Sequence, residues 1–168
     1  MRPSVKRLTL DAMLLAAALL LSYIEHLLVP YLFLPGVHLG LSNVGIMLAF
    51  FCIGRLDALL ISLLRVLLMA TLFGSLSSFL FSLFGAVLSY LVILFLSFLG
   101  ACVSRIGVSV ASAALHGTGQ ILAAAILYGT LGVFGYLPLL LVLSLPLGIA
   151  TGSLLILLEA RTKQLLRV

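Results

Sequence analysis

A single charged side chain lies deep inside an otherwise apolar stretch of this sequence. Arg65 occupies an apolar run that extends from Leu56 to Gly74. In a helix that rises about 1.5 Å per residue, its Cα would lie ~13 Å from the start, near the middle of a ~30 Å hydrocarbon core. A charge at that depth costs at least ~3 kcal/mol on insertion scales, so it should face the inside of a helix bundle and have a partner.

Two interpretations of Arg65 follow from this placement. A structural role would pair it with Glu25, which lies in the outer part of the first apolar run, or with carbonyl groups of a broken helix. A functional role would use the guanidinium to bind an anionic or polar ligand. The sequence alone leaves both interpretations open.

Further polar side chains fall at a similar predicted depth. His116 and Gln120 are four residues apart in the fifth apolar run, so a helix there would place both on one face. Asn43 lies in the second run, about two helical turns below the predicted outer surface. Each alone is more often a hydrogen bond between helices than a ligand contact, but as a set they predict a pocket that opens outward. The candidate ligand-binding residues are Arg65, Asn43, His116, Gln120, Glu25 and His38.

The acidic residues argue against an enzyme. Of the four carboxylates, Asp11, Asp57 and Glu159 fall at one predicted membrane boundary, and Glu25 stands apart from them. Prenyl transfer needs paired aspartates that hold Mg²⁺ against a diphosphate, and the sequence contains no DDxxD pair. It also lacks a phosphate-binding GxxxxGK[ST] loop, a GxSxG nucleophile turn and an HExxH metal motif. The sequence therefore predicts a protein without catalytic residues, metal or cofactor.

The composition indicates which elements position the candidate residues. The 168-residue chain is 64% hydrophobic and 8% charged, which is far more apolar than a soluble domain of this size. A membrane-spanning helix needs roughly 20 apolar residues, so six of them occupy almost the whole chain. The sequence predicts one all-α integral membrane domain over residues 1–168. Its six helices are expected at about 8–29, 37–54, 56–74, 79–102, 108–129 and 135–158.

The positions of the basic residues predict the orientation. Eight of the nine Lys and Arg residues lie in the terminal segments or in the second and fourth gaps between apolar runs. Because cytoplasmic loops are enriched in Lys and Arg, this predicts six spans with both termini in the cytoplasm. We therefore expect a multi-pass protein of the cell membrane. The cations are scattered and form no basic face, so no nucleic-acid partner is expected.

The first predicted helix has small residues spaced for close contact. Ala12 and Ala16 are four residues apart, with Ala17 and Ala18 beside them. Small faces allow two helix backbones to approach closely, which supports helix association in a membrane. This face is typical of packing within the monomer, and docking onto another membrane subunit is the alternative.

Several segments resemble one family of small membrane proteins. The resemblance runs in order through residues 35–43, 64–68, 72–75, 78–85 and 107–111, and continues at His116, Gly117 and Gln120. These segments resemble the heptaprenyl diphosphate synthase component I family, also called the Gx transporter family. That family is similar in size and topology to the S components of energy-coupling factor (ECF) transporters, which bind the substrate.

The resemblance implies partners and a ligand site. S components are six-helix uptake proteins that work with two cytoplasmic ABC-type ATPases and a membrane coupling subunit. The resemblance implies that Ala12 and Ala16 dock onto the coupling subunit. It also implies that the ligand lies in the outer half of the bundle, lined by Asn43, Arg65, His116 and Gln120. Relatives tend to have Lys where this chain has His38, which weakens the expectation of phosphate recognition there.

Three functions stay open at this point. The first is an ECF S component that captures a partly apolar small molecule with a polar or anionic group, such as an isoprenoid or quinone precursor or a flavin-like compound. The second is a membrane accessory subunit of a separate prenyl diphosphate synthase. The third is an autonomous proton-coupled carrier, with Glu25 and His116 as the titrating groups.

Overall fold

The computed structural model describes residues 5–28, 41–73 and 75–166, and the regular secondary structure of these residues is entirely helical. Two short 3₁₀ helices, Gly100–Cys102 and Leu131–Tyr136, precede the last two α-helices. The six α-helices are α1 Val5–Leu28, α2 Asn43–Cys52, α3 Arg55–Phe73, α4 Leu76–Phe98, α5 Arg105–Tyr128 and α6 Leu137–Leu166.

Five of these helices are long and apolar enough to cross a membrane: α1, α3, α4, α5 and α6. The prediction of an all-helical, multi-pass membrane protein is thereby confirmed. The helix α2 is different, because its 10 residues extend only about 15 Å, half of the hydrocarbon core. Six separate spans and the cytoplasmic location of both termini therefore stay predictions.

Two serine caps explain why α4 and α5 begin three residues before their predicted starts. The Ser75 hydroxyl accepts a hydrogen bond from the Ser78 backbone N–H at 3.2 Å, and the Ser104 hydroxyl accepts one from the Gly107 N–H at 3.0 Å. An N-cap hydroxyl replaces a missing helical acceptor and so sets where the helix starts. The predicted C-terminus of α4 was also wrong, because the α-helix ends at Phe98 and a 3₁₀ turn follows.

The predicted bounds of the second and sixth helices were wrong as well. Leu41 and Ser42 form a turn, so α2 starts later than predicted, and the earlier residues 37–40 lie outside the described part of the chain. Side chains from other helices hold this turn, as described below. The helix α6 continues past residue 158 to Leu166, where Lys163 donates to Glu159 at 2.6 Å, an i,i+4 pair that supports an exposed helix end.

The short helix α2 forms the centre of the bundle. Every residue from Asn43 to Phe50 is buried. A helix that is apolar all round has no face to turn toward water, so it is expected in a protein interior or in lipid. Its side chains pack in one cluster with α3, α4, α5 and α6, which includes Met47, Ile61, Ile93, Val108 and Leu155. The position of α2 matters for function, because its N-terminus begins inside the bundle.

Glycines allow α4, α5 and α6 to pack with their backbones nearly touching. A Cβ on Gly119 would lie 2.5 Å from the Phe84 carbonyl oxygen, and one on Gly148 would lie 2.5 Å from the Val110 Cα. Close approach of this kind gives van der Waals contact between helices where lipid supplies no hydrophobic driving force. Buried hydroxyl pairs join the same three helices, Ser89 with Ser112 at 2.7 Å and Ser109 with Thr151 at 2.8 Å.

A Gly119→Ala substitution is expected to destabilise the bundle by about 1–3 kcal/mol, the usual cost of overpacking. The added methyl group meets backbone atoms of α4, which cannot rotate away as a side chain can. Alanine has a higher helix propensity than glycine, so a loss of stability would come from the packing conflict and not from the helix itself. The measurement is the temperature at which half of the protein, heated in detergent, still elutes as a monodisperse peak.

Gly135→Ala is the matched control for this experiment. No heavy atom lies within 4 Å of a Cβ built on Gly135, so the same change should leave the midpoint temperature almost unaltered. Equal midpoint temperatures for Gly119→Ala and the unmodified protein would show that α4 and α5 separate easily, contrary to this packing arrangement.

Candidate functional site

The Arg65 side chain joins three helices in the interior of the bundle. It belongs to α3 and is only 5% exposed. Its Nη1 donates to the Ser22 hydroxyl of α1 at 3.3 Å and also to the Ser42 hydroxyl. Ser42 directly precedes the first residue of α2. Its Nε and Nη2 are buried and have no hydrogen-bond partner among the described residues. Buried donors of this kind normally find a partner, so the site has capacity for a ligand or a water molecule.

Arg65 and the N-terminus of α2 lie at the same depth. Arg65 follows the first residue of α3 by ten positions, which is about 15 Å along the helix. The helix α2 ends just before α3 begins and is itself about 15 Å long. Its first turn therefore lies about as far from the α2–α3 connection as Arg65 does. A helix N-terminus carries a partial positive charge. A guanidinium and a positive helix end therefore meet about 15 Å from the end of the bundle at which α3 begins.

Glu25 balances part of this charge. It is 1% exposed, and its Oε1 accepts a hydrogen bond from the Leu41 backbone N–H at 3.0 Å. The carboxylate also attracts Arg65 electrostatically. The ion pair predicted between these two charges stays a prediction, and the hydrogen bonds that Arg65 donates to described residues go to serine hydroxyls and not to helix carbonyls. Glu25 and Arg65 together hold the Leu41–Ser42 turn in place.

Asn43 places a polar amide directly beside this group. It is the first residue of α2 and is 2% exposed. Its Oδ1 and Nδ2 are buried and have no hydrogen-bond partner among the described residues. Leaving a buried polar group unsatisfied costs about 1–3 kcal/mol. The Asn43 amide is therefore a second group that a ligand or a water molecule would satisfy.

His116 faces Arg65 across a small cavity. The ring of His116, on α5, packs against Gly85 of α4, where a Cβ would lie 2.9 Å from the His116 Cε1. Glycine at position 85 leaves the space that this ring occupies. The cavity has a volume of about 20 Å³. Its lining includes Arg65, His116, Ser22, Ser78, Ser82, Met69 and Phe73.

The cavity is closed to large molecules in this conformation. A volume of about 20 Å³ holds roughly one water molecule, whereas sites for vitamin-sized ligands usually measure about 300–1,000 Å³. Near its edge, the rings of Tyr23 and Phe73 lie 4.9 Å apart between centroids, and His26 and Phe73 lie 6.2 Å apart. Binding of a larger ligand would therefore require these helices to rearrange.

The structure brings some of the predicted residues together and separates others. Arg65 and His116 line the same cavity, and Asn43 adjoins the Ser42 hydroxyl that Arg65 contacts. Gln120 is buried one turn beyond His116 but is not among the described residues that line this cavity. His38 lies outside the described residues. The ligand-binding roles of all six candidates stay predictions.

Sequence reasoning missed the serines of this site. Ser22 and Ser42 accept hydrogen bonds from Arg65, and Ser82 lines the cavity. A signal was present for two of them, because Ser22 lies three residues before Glu25 on one face of α1 and Ser42 directly precedes Asn43. Serine is common in apolar helices, so position alone did not distinguish these residues from the others.

The alanines of α1 fall into two groups. Ala12 and Ala16 are exposed, whereas Ala18 is fully buried and lies against Gly45 of α2. Packing within the monomer therefore accounts for Ala18 but not for the other two. Ala12 lines a mostly apolar groove of about 270 Å³ between α1 and α3, together with Leu8, Leu15, Leu60 and Leu64. Docking of a partner at this face stays a prediction.

Comparison with known protein families gives a match that covers most of the chain. A family model described as Heptaprenyl diphosphate synthase component I matches residues 14–158. The matched region contains α2, α3, α4 and α5 completely, and it includes all six candidate ligand-binding residues. Neither the curated proteins nor the solved structures give a match to this chain.

Proposed function

This chain belongs to the heptaprenyl diphosphate synthase component I family, and we propose that it is the substrate-binding membrane component of an ECF-type importer. In this role it spans the cell membrane six times, with both termini in the cytoplasm, and captures a small molecule from outside. The observation that carries the proposal is Arg65, a buried cation with unused donors beside the N-terminus of α2 at mid-depth.

The chemistry of the site favours a particular class of ligand. A guanidinium and a helix N-terminus near the membrane middle form a place for an anionic or polar group, as in transporters with broken helices. The remaining walls are largely apolar, with Val66, Met69 and Phe73 among them. The ligand is therefore a partly apolar molecule with a polar or anionic group, such as an isoprenoid or quinone precursor or a flavin-like compound.

The proposed partners follow from what the chain does not carry itself. Its sequence has no phosphate-binding loop for ATP, so two cytoplasmic ABC-type ATPases would supply the energy. A membrane coupling subunit would connect them to this chain by docking at the exposed face of Ala12 and Ala16. The mostly apolar groove beside Ala12 supports this placement, because it can receive side chains of a neighbouring membrane helix.

A second candidate is a membrane accessory subunit of a prenyl diphosphate synthase, which the name of the family favours. In that role the chain would anchor a separate catalytic subunit. The helix α6 supports this alternative, because its 30 residues extend about 45 Å and so exceed the ~30 Å hydrocarbon core. The part that projects beyond the core would offer a docking surface. An autonomous proton-coupled carrier would instead show uptake in vesicles that contain only this protein.

Affinity purification distinguishes these functions. The tagged chain would be purified from its native membrane in mild detergent, and the proteins that accompany it would be quantified by mass spectrometry. We expect two ABC-type ATPases and a polytopic coupling subunit at near-stoichiometric amounts. An unrelated multi-pass protein with the same tag is the control. Enrichment of a prenyl synthase subunit without ATPases would contradict the importer proposal and favour the accessory role.

A further inference from the structure

A second cavity lies about 15 Å from Arg65 along α3, where α3 and α5 begin. It is open and has a volume of about 610 Å³, far larger than the cavity beside Arg65. The orientation predicted from the basic residues places it at the cytoplasmic surface. Residues from the ends of four helices line it, among them Phe50, Phe51, Arg55, Ser97, Ser104 and Arg105.

Arg105 is held at this cavity by two kinds of contact. Its Nε and Nη2 donate to the two carboxylate oxygens of Glu159, at 3.0 and 3.2 Å. Its guanidinium carbon lies 3.8 Å from the centroid of the Phe51 ring. Lys163 also donates to Glu159, so one carboxylate serves two cations. The group therefore keeps a positive charge.

Arg55 adds a further positive charge without a carboxylate. Its guanidinium carbon lies 5.0 Å from the Phe98 ring centroid and 6.0 Å from that of Phe50. No ion pair joins Arg55 to a described acidic residue. The Tyr90 hydroxyl donates to the Arg55 backbone carbonyl at 2.9 Å, which fixes the start of α3 independently of the Arg55 side chain. The two arginines that line the cavity, together with Lys163, which is linked to Arg105 through Glu159, thus give three cations against one carboxylate.

The rim of the cavity is apolar on the side of α4. Phe98, which stacks on Arg55, is 70% exposed, and Leu99 and Phe95 are exposed beside it. In a membrane these side chains would face acyl chains at the level where the hydrocarbon meets the head groups. Basic pockets between helices on the cytoplasmic side of membrane proteins bind anionic head groups. Here the basic pocket and the apolar surface are continuous.

We propose that the cavity lined by Arg55 and Arg105 binds the phosphate head of an anionic membrane amphiphile, whose apolar chain lies along Phe98. Arg55 makes the direct contact because no described carboxylate competes for it. Arg105 keeps its position through Glu159 and Phe51 and adds to the positive field. This site is separate from the Arg65 cavity, so it does not depend on the proposed transport function.

Native mass spectrometry of the detergent-purified chain tests the proposal. The protein would be titrated with dioleoyl phosphatidylglycerol and, for comparison, with dioleoyl phosphatidylcholine, which has the same acyl chains. We expect tighter binding of phosphatidylglycerol. Arg55→Gln should weaken that binding about five- to tenfold, since a contact between an arginine and an anionic head group is worth roughly 1 kcal/mol or more. Arg55→Lys should retain most of it.

The matched control is Arg161→Gln, which removes an equal charge from an exposed position of α6 outside the cavity lining. This variant should bind phosphatidylglycerol as tightly as the unmodified protein. An equal loss in Arg161→Gln and Arg55→Gln would show a diffuse charge effect and overturn the proposal. Equal affinities for the two phospholipids would overturn it as well.

Two further titrations identify the source of the phosphate. If farnesyl diphosphate binds more tightly than phosphatidylglycerol, and if Arg55→Gln weakens that binding, the natural ligand of the cavity is a prenyl diphosphate. If phosphatidylglycerol binds more tightly than farnesyl diphosphate, the natural ligand is a phospholipid. Either result supports a phosphate-headed amphiphile. Binding of inorganic diphosphate alone, without either amphiphile, would overturn the proposed role of the apolar rim.

Discussion

Arg65→Ala is expected to reduce the retention of the native ligand about 100-fold, because a buried charged hydrogen bond is worth up to about 3 kcal/mol. The substitution removes the guanidinium that meets the N-terminus of α2, and with it the donors that have no partner among the described residues. The measurement is the amount of each small molecule released on denaturation from equal amounts of purified protein, quantified by mass spectrometry against the unmodified chain.

The fold must be controlled in this experiment, because the substitution removes a buried cation that attracts the buried Glu25 carboxylate. Breaking a buried charge pair on one side costs about 3–5 kcal/mol. The double variant Arg65→Ala/Glu25→Ala removes both charges, so we expect it to regain part of the lost thermal stability. Its ligand retention should stay low, since the proposed anion site is still absent. Comparison of the single and double variants therefore distinguishes loss of the fold from loss of the ligand contact.

Arg65→Lys provides a second comparison. It keeps the positive charge but loses the planar fork that reaches both Ser22 and Ser42. Intermediate retention would agree with a guanidinium that contacts the ligand and the serines together. Unchanged retention in a well-folded Arg65→Ala protein would assign Arg65 a structural role only and would remove the main support for ligand capture at this site.

Ala12→Trp and Ala16→Trp are expected to reduce association with the proposed coupling subunit at least tenfold. Both positions are exposed, and a bulky ring there would keep a partner helix from the close approach that small residues allow. The thermal stability of the isolated chain should change little, because neither side chain packs in the core. The measurement is the molar ratio of co-purified coupling subunit to tagged chain.

Ala17→Trp is the matched control, with the same residue type and the same substitution. Ala17 is also exposed, but it points about 100° away from Ala16 around α1. The molar ratio of co-purified partner to tagged chain should therefore stay nearly unchanged in the control variant. Equal loss of partner in all three variants would indicate a general effect on α1 and not a docking face. A lowered thermal stability for Ala12→Trp would contradict the exposed position of this residue.

The family name and the residues of the site indicate different functions. The name refers to prenyl diphosphate synthesis, whereas the sequence lacks the paired aspartates that hold Mg²⁺ against a diphosphate. The non-catalytic role proposed above, within either a transporter or a synthase complex, would reconcile the two. The phosphate-headed amphiphile proposed for the cavity at Arg55 belongs to the same chemical class as a prenyl diphosphate.

The sequence predicted part of the candidate site well. Burial of both Arg65 and Glu25 followed from the cost of placing charges in lipid. The common face of His116 and Gln120 followed from helical periodicity, but the cavity lies on the His116 side and its described lining does not include Gln120. The serine partners of Arg65 were not predicted, because serine is common in apolar helices and their spacing from Glu25 and Asn43 was too weak a signal on its own.

Helical structure and membrane insertion were determined by the sequence alone. Lipid offers no hydrogen bonds to a peptide backbone, so a long apolar run must form a helix whatever its neighbours are. Helix contacts were decided only by the tertiary structure. Apart from a few polar residues, the helices are apolar on nearly every side, so no continuous polar face shows which side turns inward. The central position of α2, the start of that helix beside Arg65 and the cavity at Arg55 all arise from packing between segments distant in the chain.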